Sequence, residues 1–141
     1  MTTSDHRPIH DPERIRALAH PTRLELLDFL HERGEATATE CSRRLGESVA
    51  SCSFHLRMLG KYGYIEPAAR RGREKPWRVA HGLRDIRPAP EVTGSLSAVT
   101  ELAGLVVLHQ GERLRRFLSG AHNEDDSWIQ ASTIATAEIW L

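Results

Sequence analysis

The sequence predicts a mainly α-helical (α+β) protein. Two helices, a helix-turn-helix and a short basic β-hairpin come first, followed by a longer helix and a short terminal strand or hairpin. Three observations carry that reading. Apolar residues recur at helical spacing from Ile15 to Leu59. Tyr64-Ile65-Glu66 and Trp77-Arg78-Val79 read as strands on either side of a glycine-containing turn. A second helical stripe follows Pro88-Ala89-Pro90, and residues 127–141, rich in Ile, Thr and Trp, read as a strand or hairpin.

Each element has a local cause. Residues 1–10 lack apolar periodicity and are expected to form a flexible tail. Asp11-Pro12 opens a helix, because Asp caps free amides and Pro suits the first helical position. His20-Pro21-Thr22 interrupts it, and Pro21 opens a second helix whose Leu24, Leu26, Leu27, Phe29 and Leu30 form a broad apolar face ending at Gly34. Thr37-Ala-Thr-Glu40 reads as a capping box for a short helix running to Leu45-Gly46. Ser48 caps the next helix, which buries Cys52, Leu56 and Leu59 and ends near Gly60 and Gly63. Two helices separated by so short a glycine-containing break fit a helix-turn-helix. The segment 69–75 is an exposed turn in which four of seven residues are basic. Residues 88–141 then form a linker, a helix over 91–119 and the terminal strand segment, so residues 11–87 stand as the first domain.

The 141 residues carry 19 Lys+Arg and 19 Asp+Glu, a formal charge of zero that on its face speaks against a phosphate-rich partner. The zero is a sum of unlike parts. Residues 41–90 hold 11 basic and 4 acidic side chains, whereas residues 91–141 hold 3 and 7. No run approaches a transmembrane length and the N-terminus has no signal-peptide core, so a cytoplasmic location without membrane association is expected. Cys41 and Cys52 are too few for a disulfide framework and read as buried thiols. There is no Gly-rich phosphate loop, no nucleophile elbow and no zinc-protease motif, since Glu35 stands where His31-Glu32 would need a second His. Neither an enzyme nor a resident cofactor or metal is expected. The apolar end Ile139-Trp140-Leu141 leads us to expect a truncated form of a longer protein.

Residues 14–80 resemble the winged helix-turn-helix domain of arsenic-repressor-type (ArsR-like) bacterial transcription regulators. The resemblance rests on three stretches: Arg16-Ala-Leu-Ala-His-Pro-Thr-Arg-Leu-Glu-Leu-Leu27, Ser53-Phe-His-Leu-Arg-Met-Leu-Gly-Lys-Tyr-Gly-Tyr-Ile65 and Gly72-Arg-Glu-Lys-Pro-Trp-Arg78. It implies that these are the first two helices, the recognition helix and the wing, and that the late helix pairs two subunits. Metal-sensing members carry a Cys-x-Cys pair where this chain has Thr37 and Thr39, so the resemblance here comes without the metal-binding cysteines.

With that frame the sequence proposes a sequence-specific regulator of double-stranded DNA, a repressor acting as a homodimer on an inverted repeat. The expected DNA contacts on the recognition helix are Ser48, Ala50, Ser51, Phe54, His55 and Arg57, with Lys61 near its end. Those on the wing are Arg70, Arg71, Arg73 and Lys75. Arg23 reads as structural. The expected dimer contacts are Leu96, Val99, Leu102, Val106, Leu114 and Phe117, on an apolar stripe with little left to cover in so small a domain. Two alternatives stand beside this: a protein-interaction winged helix anchored by Trp128 and Trp140, and a sensor of an unidentified small-molecule effector.

Overall fold

The structure is a computed structural model and describes residues 8–80 and 85–120. The expected terminal strand over 127–141, the tail before residue 8, Trp128 and Trp140 lie outside the described residues. The helices are α1 (Pro12–Arg16), α2 (Pro21–Arg33), α3 (Ala38–Leu45), α4 (Val49–Lys61) and α5 (Ser95–Gly120). The strands are β1 (Ile65–Pro67) and β2 (Trp77–Val79), paired antiparallel with Ile65 opposite Val79 and Pro67 opposite Trp77. The chain divides into two compact units, one ending at Val106 and the other beginning at Val107.

The caps form as their residues dictate. Asp11 accepts the Glu13 amide at 3.2 Å ahead of Pro12. Both halves of the Thr37/Glu40 capping box are present, and Ser48 accepts the Ser51 amide at 3.1 Å. His20 caps α2 in a less common way, its Nδ1 accepting the Thr22 amide at 3.2 Å.

Ile15, Leu26, Leu30, Leu56 and Leu59 are fully enclosed in the core of the first unit, with Cys41 and Cys52 between α3 and α4. Each buried leucine contributes about 1.5–3 kcal/mol. Tyr64 is buried as well, and its hydroxyl donates to the Arg14 carbonyl at 2.6 Å. Arg14 in turn donates to the Tyr62 carbonyl at 2.9 Å, so α1 is tied to the exit from α4.

Three features differ from the sequence expectations. The N-terminal segment is not loose throughout. Ile9 is buried and bridges Ile86 in parallel, donating to the Asp85 carbonyl at 2.8 Å and accepting from the Arg87 amide at 3.2 Å. Pro88-Ala89-Pro90 is not a free linker either. Ala89 is buried and its amide donates to the enclosed Ser95 hydroxyl at 3.0 Å, which anchors the start of α5. The hairpin is widened by a third segment, since Ala36 and Trp77 exchange both backbone hydrogen bonds. α4 ends at Lys61, between Gly60 and Gly63 as expected, and Gly60 has a second role: the Trp77 ring sits against it, and a Cβ there would fall 2.8 Å from the indole.

The expected dimer stripe divides into two parts along α5. Ser95, Ala98 and Leu102 recur on one face and are buried, and Val99 and Val106 pack against the same core. This stripe therefore has something to cover within its own protomer, and an Arg16–Glu101 ion pair at 3.6 Å reinforces the contact with α1. Past Val106 the helix is different. Val107, Leu108, Leu114, Phe117 and Leu118 are exposed, and Val107, Leu114 and Leu118 fall on one helical line. No helix among the described residues is long and apolar enough to cross a membrane.

Candidate nucleic-acid interface

α3 and α4 enclose a three-residue turn, Gly46-Glu47-Ser48, in which Gly46 takes the left-handed φ of 73°. Burial of Cys52, Leu56 and Leu59 fixes the rotation of α4. The remaining face, with Ala50, Phe54 and Arg57, is left in water and Ser51 is half-buried. Phe54 is 49% exposed, a large apolar group with no core to join. The wing turns through Gly72-Arg73, flanked by a backbone bridge between Arg71 and Glu74. Gly72 takes φ 64° while Arg73 stays at negative φ, which suits a two-residue hairpin whose first position needs glycine.

Between the start of α3, the outer face of α4 and the wing runs a groove of about 850 Å³. Arg57, Arg70, Arg73 and Lys75 all line it, together with Ser53 and the half-buried Trp77. Four of the cations expected from sequence are thus brought to one concavity. None of the four makes an ion pair with another described residue. One carboxylate, Glu74, shares the groove.

Other expected contacts are engaged within the protomer. Arg71 donates through Nε to Glu35 at 3.0 Å and through Nη1 to Glu40 at 2.8 Å. Glu40 also closes the capping box of α3, accepting the Thr37 amide at 3.3 Å. Partial burial pushes the Glu40 carboxyl up, but the Thr37 amide and Arg71 outweigh it and hold the group below its ordinary value. Arg71 therefore acts as a latch from wing to helix cap. His55 accepts a hydrogen bond at Nδ1 from Arg23 Nε at 3.2 Å, and its ring lies 4.5 Å from that of His20. Burial first, then His20 and Arg23, holds His55 below the ordinary histidine value, so the neutral ring is favoured. Arg23 also donates to the Ala17 carbonyl at 2.9 Å, in keeping with a structural role. Lys61 is exposed, with its ammonium 5.3 Å from the Tyr62 ring.

Sequence reasoning missed Glu47. Its carboxylate accepts the Ser51 hydroxyl at 2.7 Å and the Thr22 hydroxyl at 3.2 Å. Ser51, an expected base contact, is thus already a donor to this group. The missed signal was a lone acid just before a helix cap inside a basic region. Both thiols are buried and unpaired by disulfide, and burial pushes Cys41 up to about 12. No cluster of three metal-ligating side chains occurs among the described residues.

The helix-turn-helix has a counterpart in a known family model. Residues 18–66 match a family model described as a helix-turn-helix domain. A stretch of 61 residues is 48% identical to a "probable mercury resistance operon repressor" of Streptomyces lividans, covering 43% of this chain and 46% of that protein. The chain therefore spans about half the length of that relative. The family match covers α2, α3, α4 and the start of β1. Among solved structures, a homodimeric winged helix-turn-helix domain of Mycobacterium bovis, a "possible ArsR-family transcriptional regulator", is 22% identical with a TM-score of 0.45, covering 79% of this chain and 81% of that one. A single-site cysteine-to-serine mutant of ZitR from Lactococcus lactis is 16% identical with a TM-score of 0.45, covering 84% and 70%.

Proposed function

We propose that the protein is a transcription regulator that binds duplex DNA, a repressor acting as a homodimer on an inverted-repeat operator. One observation carries the reading: Arg57 of α4 and Arg70, Arg73 and Lys75 of the wing line a single groove with their charges unpaired among the described residues. A helix face of this kind fits the major groove, and wing cations meet the adjacent phosphates. Ala50, Ser51 and Phe54 are the side chains placed to touch bases. Ser48, His55 and Lys61 border them, and Arg71 supports the wing.

Dimerisation is supported by the apolar residues of α5 beyond Val106, because an apolar stripe left in water favours association with another apolar surface. Leu114 and Phe117 are the dimer contacts retained from sequence, joined by Val107 and Leu118; Leu96, 66% exposed, stays available. Two-fold pairing sets half-sites about 10–10.5 base pairs apart, or a multiple of that spacing. Selection of bound duplexes from a random pool tests the whole reading. A palindromic motif is expected, and affinity that does not rise above that for random DNA would overturn it.

A further inference from the structure

Glu47 occupies the turn between α3 and α4, one residue before the Ser48 cap. It is exposed, yet it is held from three helices. Its Oε1 accepts from Thr22 of α2, its Oε2 from Ser51 of α4, and its main-chain carbonyl accepts the Ser42 hydroxyl of α3 at 2.6 Å. The hydrogen bond from the Ser51 hydroxyl holds its carboxyl below the ordinary value, so the group is a fixed anion. An ionised carboxylate offers about four acceptor positions. Two are used by hydroxyls, which leaves acceptor capacity open to solvent.

A fixed anion at the start of this helix opposes phosphate. In a helix-turn-helix the N-terminal residues of the second helix approach base edges. Major-groove edges present few donors: the N4 amino group of cytosine and the N6 amino group of adenine. Adenine places its N7 acceptor beside that amino group, and guanine and thymine present acceptors that a carboxylate repels. Cytosine is the base whose edge suits Glu47.

Building on the DNA-binding reading above, we propose that Glu47 is a specificity-determining residue that accepts a hydrogen bond from the N4 amino group of one cytosine in each half-site. Thr22 and Ser51 hold the carboxylate in position for it. A residue that served only to tie three helices together would affect all duplexes alike, whereas this role is read at one base pair.

Selection from a random duplex pool with wild-type protein and with Glu47→Gln tests it. Wild-type half-sites should share one cytosine column, which Glu47→Gln loses while the other columns persist. On the selected duplex, replacing that cytosine by 2-pyrimidinone, which lacks the amino group, should weaken wild-type binding about tenfold. The same replacement should leave Glu47→Gln nearly unaffected, and Glu47→Gln should bind random duplex more tightly than wild type. Persistence of the cytosine column in Glu47→Gln, or its absence from wild-type sites, overturns the assignment. The 2-pyrimidinone measurement on wild type needs no variant to fold, and unchanged affinity there also overturns it. If no duplex is enriched by wild type, the DNA-binding reading falls and this proposal with it.

Discussion

α4 and the outer part of α5 each keep a face that the protomer's own core leaves in water, and the two faces differ in chemistry. On α4 that face is small and polar with one aromatic, beside a wing whose charges are mostly unpaired among the described residues. On α5 beyond Val106 it is Val, Leu and Phe. A charged, polar face gains from a polyanion and loses that gain in salt. An apolar face gains from another apolar face and is insensitive to salt. On the function proposed above, the contrast separates a face for DNA from a face for a second copy, and it can be broken experimentally one face at a time.

The largest effect comes from removing the support beneath α4. Leu56→Ala hollows the fully enclosed core there and should cost about 2–5 kcal/mol of stability, read by urea denaturation. A loss well below that range would mean that the core collapses around the gap. Next, Leu114→Glu places a charge on the outer stripe of α5. Self-association should weaken roughly 30-fold or more by light scattering, with the melting temperature little changed. If the stripe is not the interface, the molar mass stays the same.

The wing offers a finer division. Arg73→Ala and Arg70→Ala should each reduce the steepness of log affinity against log salt by about 0.9. Arg71→Ala should lower affinity without changing that slope, because its guanidinium bonds to Glu35 and Glu40. Equal slopes for Arg71→Ala and Arg73→Ala would erase the distinction between latch and phosphate contact.

The smallest effect is in pH. His55 titrates below its ordinary value of 6.5 in the folded protein, so its neutral form is favoured there. The corresponding stability is present above pH 6.5 and is lost as pH falls through the folded pKa. Melting temperatures taken from about pH 7 to about pH 5 should fall, and His55→Gln should fall less over the same range. A matching decline in the variant would assign the effect to other groups.

The order of elements was readable because it depends on neighbours in the chain. Thr37 and Glu40 are three residues apart, Ser48 caps the helix beside it, and the helical spacing of Cys52, Leu56 and Leu59 sets which side of α4 faces inward. The basic character of the wing was equally local. The partners of individual charges were not local. Arg71 looked like its neighbour Arg73, but Glu35 and Glu40 lie 36 and 31 residues away and only folding brings them to it. The wing's third segment has the same origin, since Ala36 precedes Trp77 by more than forty residues. The expected dimer stripe shows the same limit. Its periodicity marks a buried face without saying what buries it, and Leu102 is covered by its own protomer.

The sequence by itself thus determined the helix-turn-helix, the hairpin, their caps and the concentration of basic charge over residues 41–90. Backbone propensity, capping and periodicity act over a few residues. Tertiary structure alone decided which cations stay free to meet a polyanion, which apolar residues remain in water, and that Glu47 is held in place by Thr22 and Ser51. Hydrogen bonds and burial are satisfied by whatever the fold brings within about 3 Å, regardless of its distance along the chain.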